Sequence, residues 1–114
     1  MTTPRVPLAE TDVDDHERVT HNGELFTGVA TETGPDGTLL GETRYTHGIL
    51  NGPARAFWPD QTLRLESVYE GGFPVLHREW HRNGRLALER HLRGGGELVG
   101  EQRWDEDGNP VSHP

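Results

Sequence analysis

The chain contains no cysteine and no lysine, so all 11 of its basic residues are arginine. Without cysteine there are no disulfides and no thiolate metal sites, and a reducing compartment is compatible. Apolar runs are short: none approaches the roughly 20 residues that a membrane helix requires. Met1-Thr2-Thr3-Pro4-Arg5-Val6-Pro7 lacks the apolar central stretch of a secretory leader, which makes a cytoplasmic location the expectation. Hydrophobic residues are scarce, at 31% of 114 positions, so a thick core is excluded. Cations are outnumbered, 11 against 19 carboxylates, for a net charge of −8. Phosphate backbones call for clustered Lys and Arg, so nucleic acid is an unsuitable partner; a basic protein surface suits this charge better.

What the chain has in abundance is glycine, 15 residues placed in register rather than scattered. Gly23, Gly48, Gly72 and Gly96 form one column with a period of about 24 residues. Gly28, Gly52 and Gly100 form a second, with Leu76 as its exception, and Gly37, Gly84 and Gly108 a third, where Gln61 fills the missing place. Glu42, Glu66 and Glu89 recur between them, each followed three residues later by Tyr45, Tyr69 or Leu92. A period of this length signals an array of small units, none able to bury a hydrophobic face alone.

Within each unit the pattern is that of strands and turns. Residues 38–46, 62–70 and 85–93 alternate with period two, with Leu39 and Tyr45, then Leu63, Leu65 and Tyr69, then Leu86, Leu88 and Leu92 on one face. Pro35-Asp36-Gly37, Arg82-Asn83-Gly84 and Asp107-Gly108 supply the Asx-Gly pairs of tight hairpins, and Pro59-Asp60-Gln61 is the deviant copy, expected to turn less ideally. A second, longer class of turn is expected at 48–52, 71–76 and 94–100. Phe57, Trp80 and Trp104 each precede a turn residue by four positions, with Thr33 in the first copy. Residues 1–18 read as an acidic, mobile lead-in whose last few residues are placed to form an edge strand. Residues 19–108 read as the repeat domain, and 109–114 as a cap and loose end.

These columns resemble the MORN-variant repeat proteins, specifically the bacterial YwqK-like antitoxin family. The family pattern of G-x-x-x-G, an aromatic, N-G-x-L and E-x-x-Y is matched by Gly48 to Gly52, Phe57, Leu63, Glu66 and Tyr69, and again by Gly72, Trp80, Asn83-Gly84, Leu86 and Glu89. Asn22-Gly23-Glu24-Leu25-Phe26-Thr27-Gly28 is similar to the family's opening unit. Leu92, Leu76 and Gln61 depart from the pattern. The resemblance spans about residues 18–108. It implies an all-β fold, an elongated twisted antiparallel sheet of about four hairpin repeats, and a non-catalytic role as an antitoxin or immunity protein. Such a protein would mask a cognate toxin sterically, and the charge balance makes a basic one the better fit. A repeat scaffold for protein or membrane-surface assembly is the alternative.

Candidate chemistry is sparse. A carboxylate needed once per unit, as Glu42, Glu66 and Glu89 are, is a structural residue that bonds a neighbouring amide or pairs with arginine across strands. His77 and His81 on one strand would lie roughly 13 Å apart, too far for one metal ion. Ser67 and Ser112 lack a nucleophile motif. No cofactor is expected. Phe57, Trp80 and Trp104 read as packing residues of their hairpins. Trp58, unmatched in the other units and next to Asp60, reads either as an exposed anchor for a partner or as a filler. Asp12, Asp14 and Asp15 in the lead-in are the other candidate partner contacts.

Overall fold

A computed structural model describes residues 3–111. The chain is all-β, with one short 3-10 turn at Leu8–Glu10. Nine strands form a large open sheet in the order β1 (Arg5–Pro7), β5 (Gly28–Thr33), β6 (Leu39–Thr46), β7 (Ile49–Phe57), β8 (Leu63–Glu70), β9 (Phe73–Trp80), β10 (Leu86–Arg93), β11 (Glu97–Trp104) and β12 (Pro110–Val111). A second sheet holds β2 (Asp12–Val13), β3 (Val19–His21) and β4 (Glu24–Leu25). From β5 onward the large sheet is an antiparallel meander, as the period-two segments predict.

Two features differ from the sequence reading. The sheet is mixed, because β1 runs parallel to β5 with Arg5 opposite Val29. The lead-in therefore contributes the first strand of the sheet through residues 5–7, not through its last residues. At the other end, Asn109 closes a loop and β12 pairs with Arg103 and Trp104, so the expected cap is part of the sheet as far as Val111; the remaining tail residues lie outside the described ones.

Apart from the three-residue loop Gly94-Gly95-Gly96 (φ 46°, 83° and 98°), found where a longer turn over 94–100 was expected, the hairpin turns fall into two classes, but with lengths opposite to those expected. Asn22-Gly23, His47-Gly48 and Gly71-Gly72 are two-residue loops with positive φ at both positions (54° and 82°, 49° and 79°, 55° and 92°), the geometry that matches the twist of flanking strands. The Asx-Gly segments sit instead in five-residue loops, at 34–38, 58–62, 81–85 and 105–109. In each, the first residue's N–H bonds the fifth residue's carbonyl, and the fourth residue's N–H bonds the first residue's carbonyl. Only the fourth residue has positive φ: Gly37 (85°), Gln61 (74°), Gly84 (89°) and Gly108 (89°). Gln61 thus forms the same turn as its glycine counterparts. A fifth copy occurs at residues 14–18, where Asp14 N–H bonds Arg18 O, Glu17 N–H bonds Asp14 O, and Glu17 has φ 61°.

Among the described residues few side chains are buried: Phe26, Val29, Ala30 and Leu88. Phe57, Trp80 and Trp104 are half-buried, lying opposite Leu63, Leu86 and Pro110. The surface area, 7482 Å², exceeds the roughly 6,300 Å² expected of a compact protein of this mass. The radius of gyration, 15.9 Å, exceeds the expected value of about 13 Å. A register shift in each ladder from β5 to β11 adds twist. Glycine is required where backbones nearly touch. A Cβ on Gly28 would lie 2.6 Å from Pro4 O, and one on Gly48 would lie 2.7 Å from Val19 O.

Candidate functional site

Glu42, Glu66 and Glu89 come together as one cross-strand ladder. The register sets Glu42 opposite Arg55, Arg55 opposite Glu66, Glu66 opposite Arg78 and Arg78 opposite Glu89. The contacts run Arg5–Glu42 (3.1 Å), Glu42–Arg55 (3.5 Å), Arg55–Glu66 (2.7 Å), Glu66–Arg78 (3.7 Å), Arg78–Glu89 (2.8 Å) and Glu89–His91 (2.8 Å). Arg78, then His91, holds the Glu89 carboxyl below its ordinary range. The sequence carries a signal for this ladder that the glycine columns obscure. Arg55 and Glu66, Arg78 and Glu89, and Arg90 and Glu101 are each eleven residues apart, and all three are paired.

The ladder and its neighbours absorb most of the positive charge. Eight of the arginines, at 5, 18, 55, 78, 82, 90, 93 and 103, are ion-paired, and they engage seven of the 19 carboxylates. The remaining carboxylates set the outward field; Glu10, Asp12, Asp15, Glu17 and Glu24 are exposed in or beside the small sheet.

The candidate partner residues do not form one cluster. Asp12 and Asp15 are exposed near the small sheet. Asp14 turns inward on its own loop, accepting from the N–H groups of His16 and Arg18 and from the Arg18 side chain, and the Arg18 amide is the main cause of its lowered pKa. Asp60 accepts from the Thr62 hydroxyl and amide and from Arg82, which together bring its pKa down to about 2. Trp58 is half-buried rather than a freely exposed anchor. Arg82 and Arg64 lie 4.9 and 5.7 Å from its ring centroid, and its indole N–H is buried without a partner. The ring is held by cation–π contacts within its own chain.

One hydrogen-bonded chain was not visible in the sequence. Ser67 Oγ lies 2.7 Å from His77 Nδ1, and His77 Nε2 lies 2.8 Å from Glu79 Oε2. With Nε2–H donated to Glu79, Nδ1 accepts from the serine hydroxyl. The three residues are brought together by the β8–β9 register, which sets Ser67 opposite His77. Ser67 sits mid-strand with a neighbour on each side, Ala54 and His77, so the backbone there is committed to ladders and offers no donor pair for an oxyanion. His81 faces elsewhere and donates to Trp104 O at 2.8 Å. Among the described residues no three His, Asp or Glu side chains converge as a metal-ligand set, and no helix is long and apolar enough to cross a membrane.

Two surface depressions flank the ladder region. A groove of about 420 Å³ is lined by small residues, including Gly41, Ala54, Ala56 and Ser67, together with Tyr69 and the charged Glu32, Arg55 and Arg64. A smaller notch of about 240 Å³ is lined by Arg5, Val29, Glu42, Arg44, Pro53 and Arg55. Both are open to solvent.

No protein-family model matches the chain, and no curated protein matches it. Among solved structures, it is similar to a chain in the crystal structure of accessory secretory protein 1, 2 and 3 in Streptococcus pneumoniae, with a TM-score of 0.44 and 15% identity. That match covers 95% of this chain, which spans about a fifth of the other (21%).

Proposed function

We propose that the protein is a non-catalytic binding protein of antitoxin or immunity type, which masks a basic partner protein with its acidic surface. The observation that carries this reading is the distribution of charge. Arginines are spent on carboxylates within the sheet, so the molecule presents an excess of unpaired carboxylates on a broad, open surface. Such a field accelerates encounter with a cationic protein and disfavours anionic ones. The resemblance to the YwqK-like repeat family supplies the toxin as the class of partner.

Coexpression is the test. A basic toxin that arrests growth alone should be harmless with this chain present, and complex formation should slow as salt rises. Neutralisation that persists unchanged with Asp12, Asp15, Glu17 and Glu24 converted to their amides would count against the acidic end as the steering surface. A scaffold role is favoured by one observation: Ile49, Phe73, Leu98 and Val99 are large hydrophobic residues 41–56% exposed. Flotation with neutral and anionic vesicles separates a membrane-surface scaffold from a protein mask.

A further inference from the structure

The notch beside β1 runs against the charge of the whole molecule. Three arginines line it, Arg5, Arg44 and Arg55, against one carboxylate, Glu42. Both oxygens of Glu42 are already engaged, Oε2 by Arg5 at 3.1 Å and Oε1 by Arg55 at 3.5 Å. A second carboxylate, Glu66, is shared between Arg55 and Arg78 along the ladder. Arg44 has no ion pair among the described residues, and it is exposed. Arg64 and Arg85 also lack an acid, but Arg64 lies over the Trp58 ring and Arg85 donates to Asp107 O at 2.7 Å, whereas Arg44 has neither kind of partner among the described residues.

Arg44 is also placed, not merely present. Its stem lies across Gly52, where a Cβ would come within 2.8 Å of Arg44 Cδ. The glycine of the repeat column therefore gives the arginine room to lie beside the notch. Arg44 and Arg5 fall outside the repeat: the positions that correspond to Arg44 in the next two units hold Val68 and His91.

We infer that this notch is a binding site for a small tetrahedral dianion, inorganic phosphate or the terminal phosphoryl group of a small phosphomonoester. Three arginines lining one notch with a single carboxylate among them suit an anion with several acceptor oxygens and two charges. Val29 and Pro53 complete the lining, and the roughly 240 Å³ of space suits a group of this size rather than a nucleotide.

The test is a titration of the full chain with inorganic phosphate at pH 8, followed in proton–nitrogen correlation spectra through the arginine Nε–H signals. Sodium acetate at matched ionic strength is the control. The signals of Arg5, Arg44 and Arg55 should shift and saturate with phosphate and not with acetate. Arg44→Gln should weaken binding at least tenfold, the effect of about one charge-assisted hydrogen bond. Arg5→Gln should weaken it as well, and Arg93→Gln, at an exposed pair far from the notch, should leave it unchanged. A titration with glycerol phosphate tells the two sources apart: equal or tighter binding assigns the site to a phosphoryl group on a small molecule, and weaker binding assigns it to free phosphate. Equal responses to acetate and phosphate, or undiminished binding by Arg44→Gln, would overturn the assignment.

Discussion

At the scale of single residues, backbone conformation separates positions that sequence columns treat alike. Gln61 replaces a glycine and still adopts φ 74°, with its side chain donating to Leu39 O at 2.9 Å. A non-glycine residue in this region carries about 1 kcal/mol or more of strain. Gln61→Gly should therefore stabilise the protein by roughly 0.5–1 kcal/mol net of the lost exposed hydrogen bond, seen as a melting temperature a few degrees higher. A lower melting point would mean that the bond to Leu39 outweighs the strain.

Titration belongs to the same scale. Asp14, Asp60, Glu89, Glu101 and Asp105 all have lowered pKa values. Carboxylates depressed in the folded state stabilise it above their ordinary pKa, near 4, and lose that contribution as pH falls through the folded value, about 2 for Asp60. The urea midpoint should accordingly hold down to about pH 5 and drop between about pH 4 and 2. A midpoint that is unchanged at pH 3 would contradict the pairing pattern described for these groups.

At the scale of elements, ion pairs differ in worth according to their surroundings. Glu66 has a side chain only 14% exposed and stands between two arginines, whereas Arg93 and Glu97 pair at 71% and 62% exposure. Glu66→Ala leaves Arg55 and Arg78 facing each other and should cost about 1–2 kcal/mol, while Arg93→Ala should stay within about 0.5 kcal/mol. Chemical denaturation of both variants distinguishes a ladder that stabilises the sheet from a decorative row of charges, for which the two costs would be equal.

Much of this level was legible in the sequence. Strands β6, β8 and β10 lie where the period-two alternation places them, because each keeps an apolar face against its neighbours. The turn classes were read with their lengths exchanged. An Asx-Gly pair suits both a two-residue loop and a five-residue loop with one left-handed position, and the sequence pair alone does not distinguish them. The copy at residues 14–18 carries no glycine signal, because its left-handed position is held by Glu17, with Asp14 binding the loop amides. The parallel pairing of β1 is a contact across more than 20 residues, which no local pattern encodes. The Ser67–His77–Glu79 chain depends on strand register and was hidden for the same reason.

At the scale of the whole molecule, the protein is a thin sheet whose stability is distributed along its length, with one denser spot. Phe26, 5% exposed, packs against His21 and Tyr45 where the small sheet meets the large one, and its backbone bonds Val19 and Gly48. Phe26→Ala should cost about 3–4 kcal/mol and release the amides of β3 and β4 to hydrogen exchange before those of β8 and β9. Uniform exchange across both sheets would show a single cooperative unit instead.

The functional account rests on the same scale, because it is the sum of charges that distinguishes this surface. Its most direct test is an affinity capture from the native cells in buffers of low and high salt, with the captured protein then expressed alone and together with this chain. The account predicts one stoichiometric basic protein, released as salt rises, that arrests growth alone and is harmless beside its partner. A captured partner that is acidic, or one held equally well at all salt concentrations and harmless from the start, would contradict it.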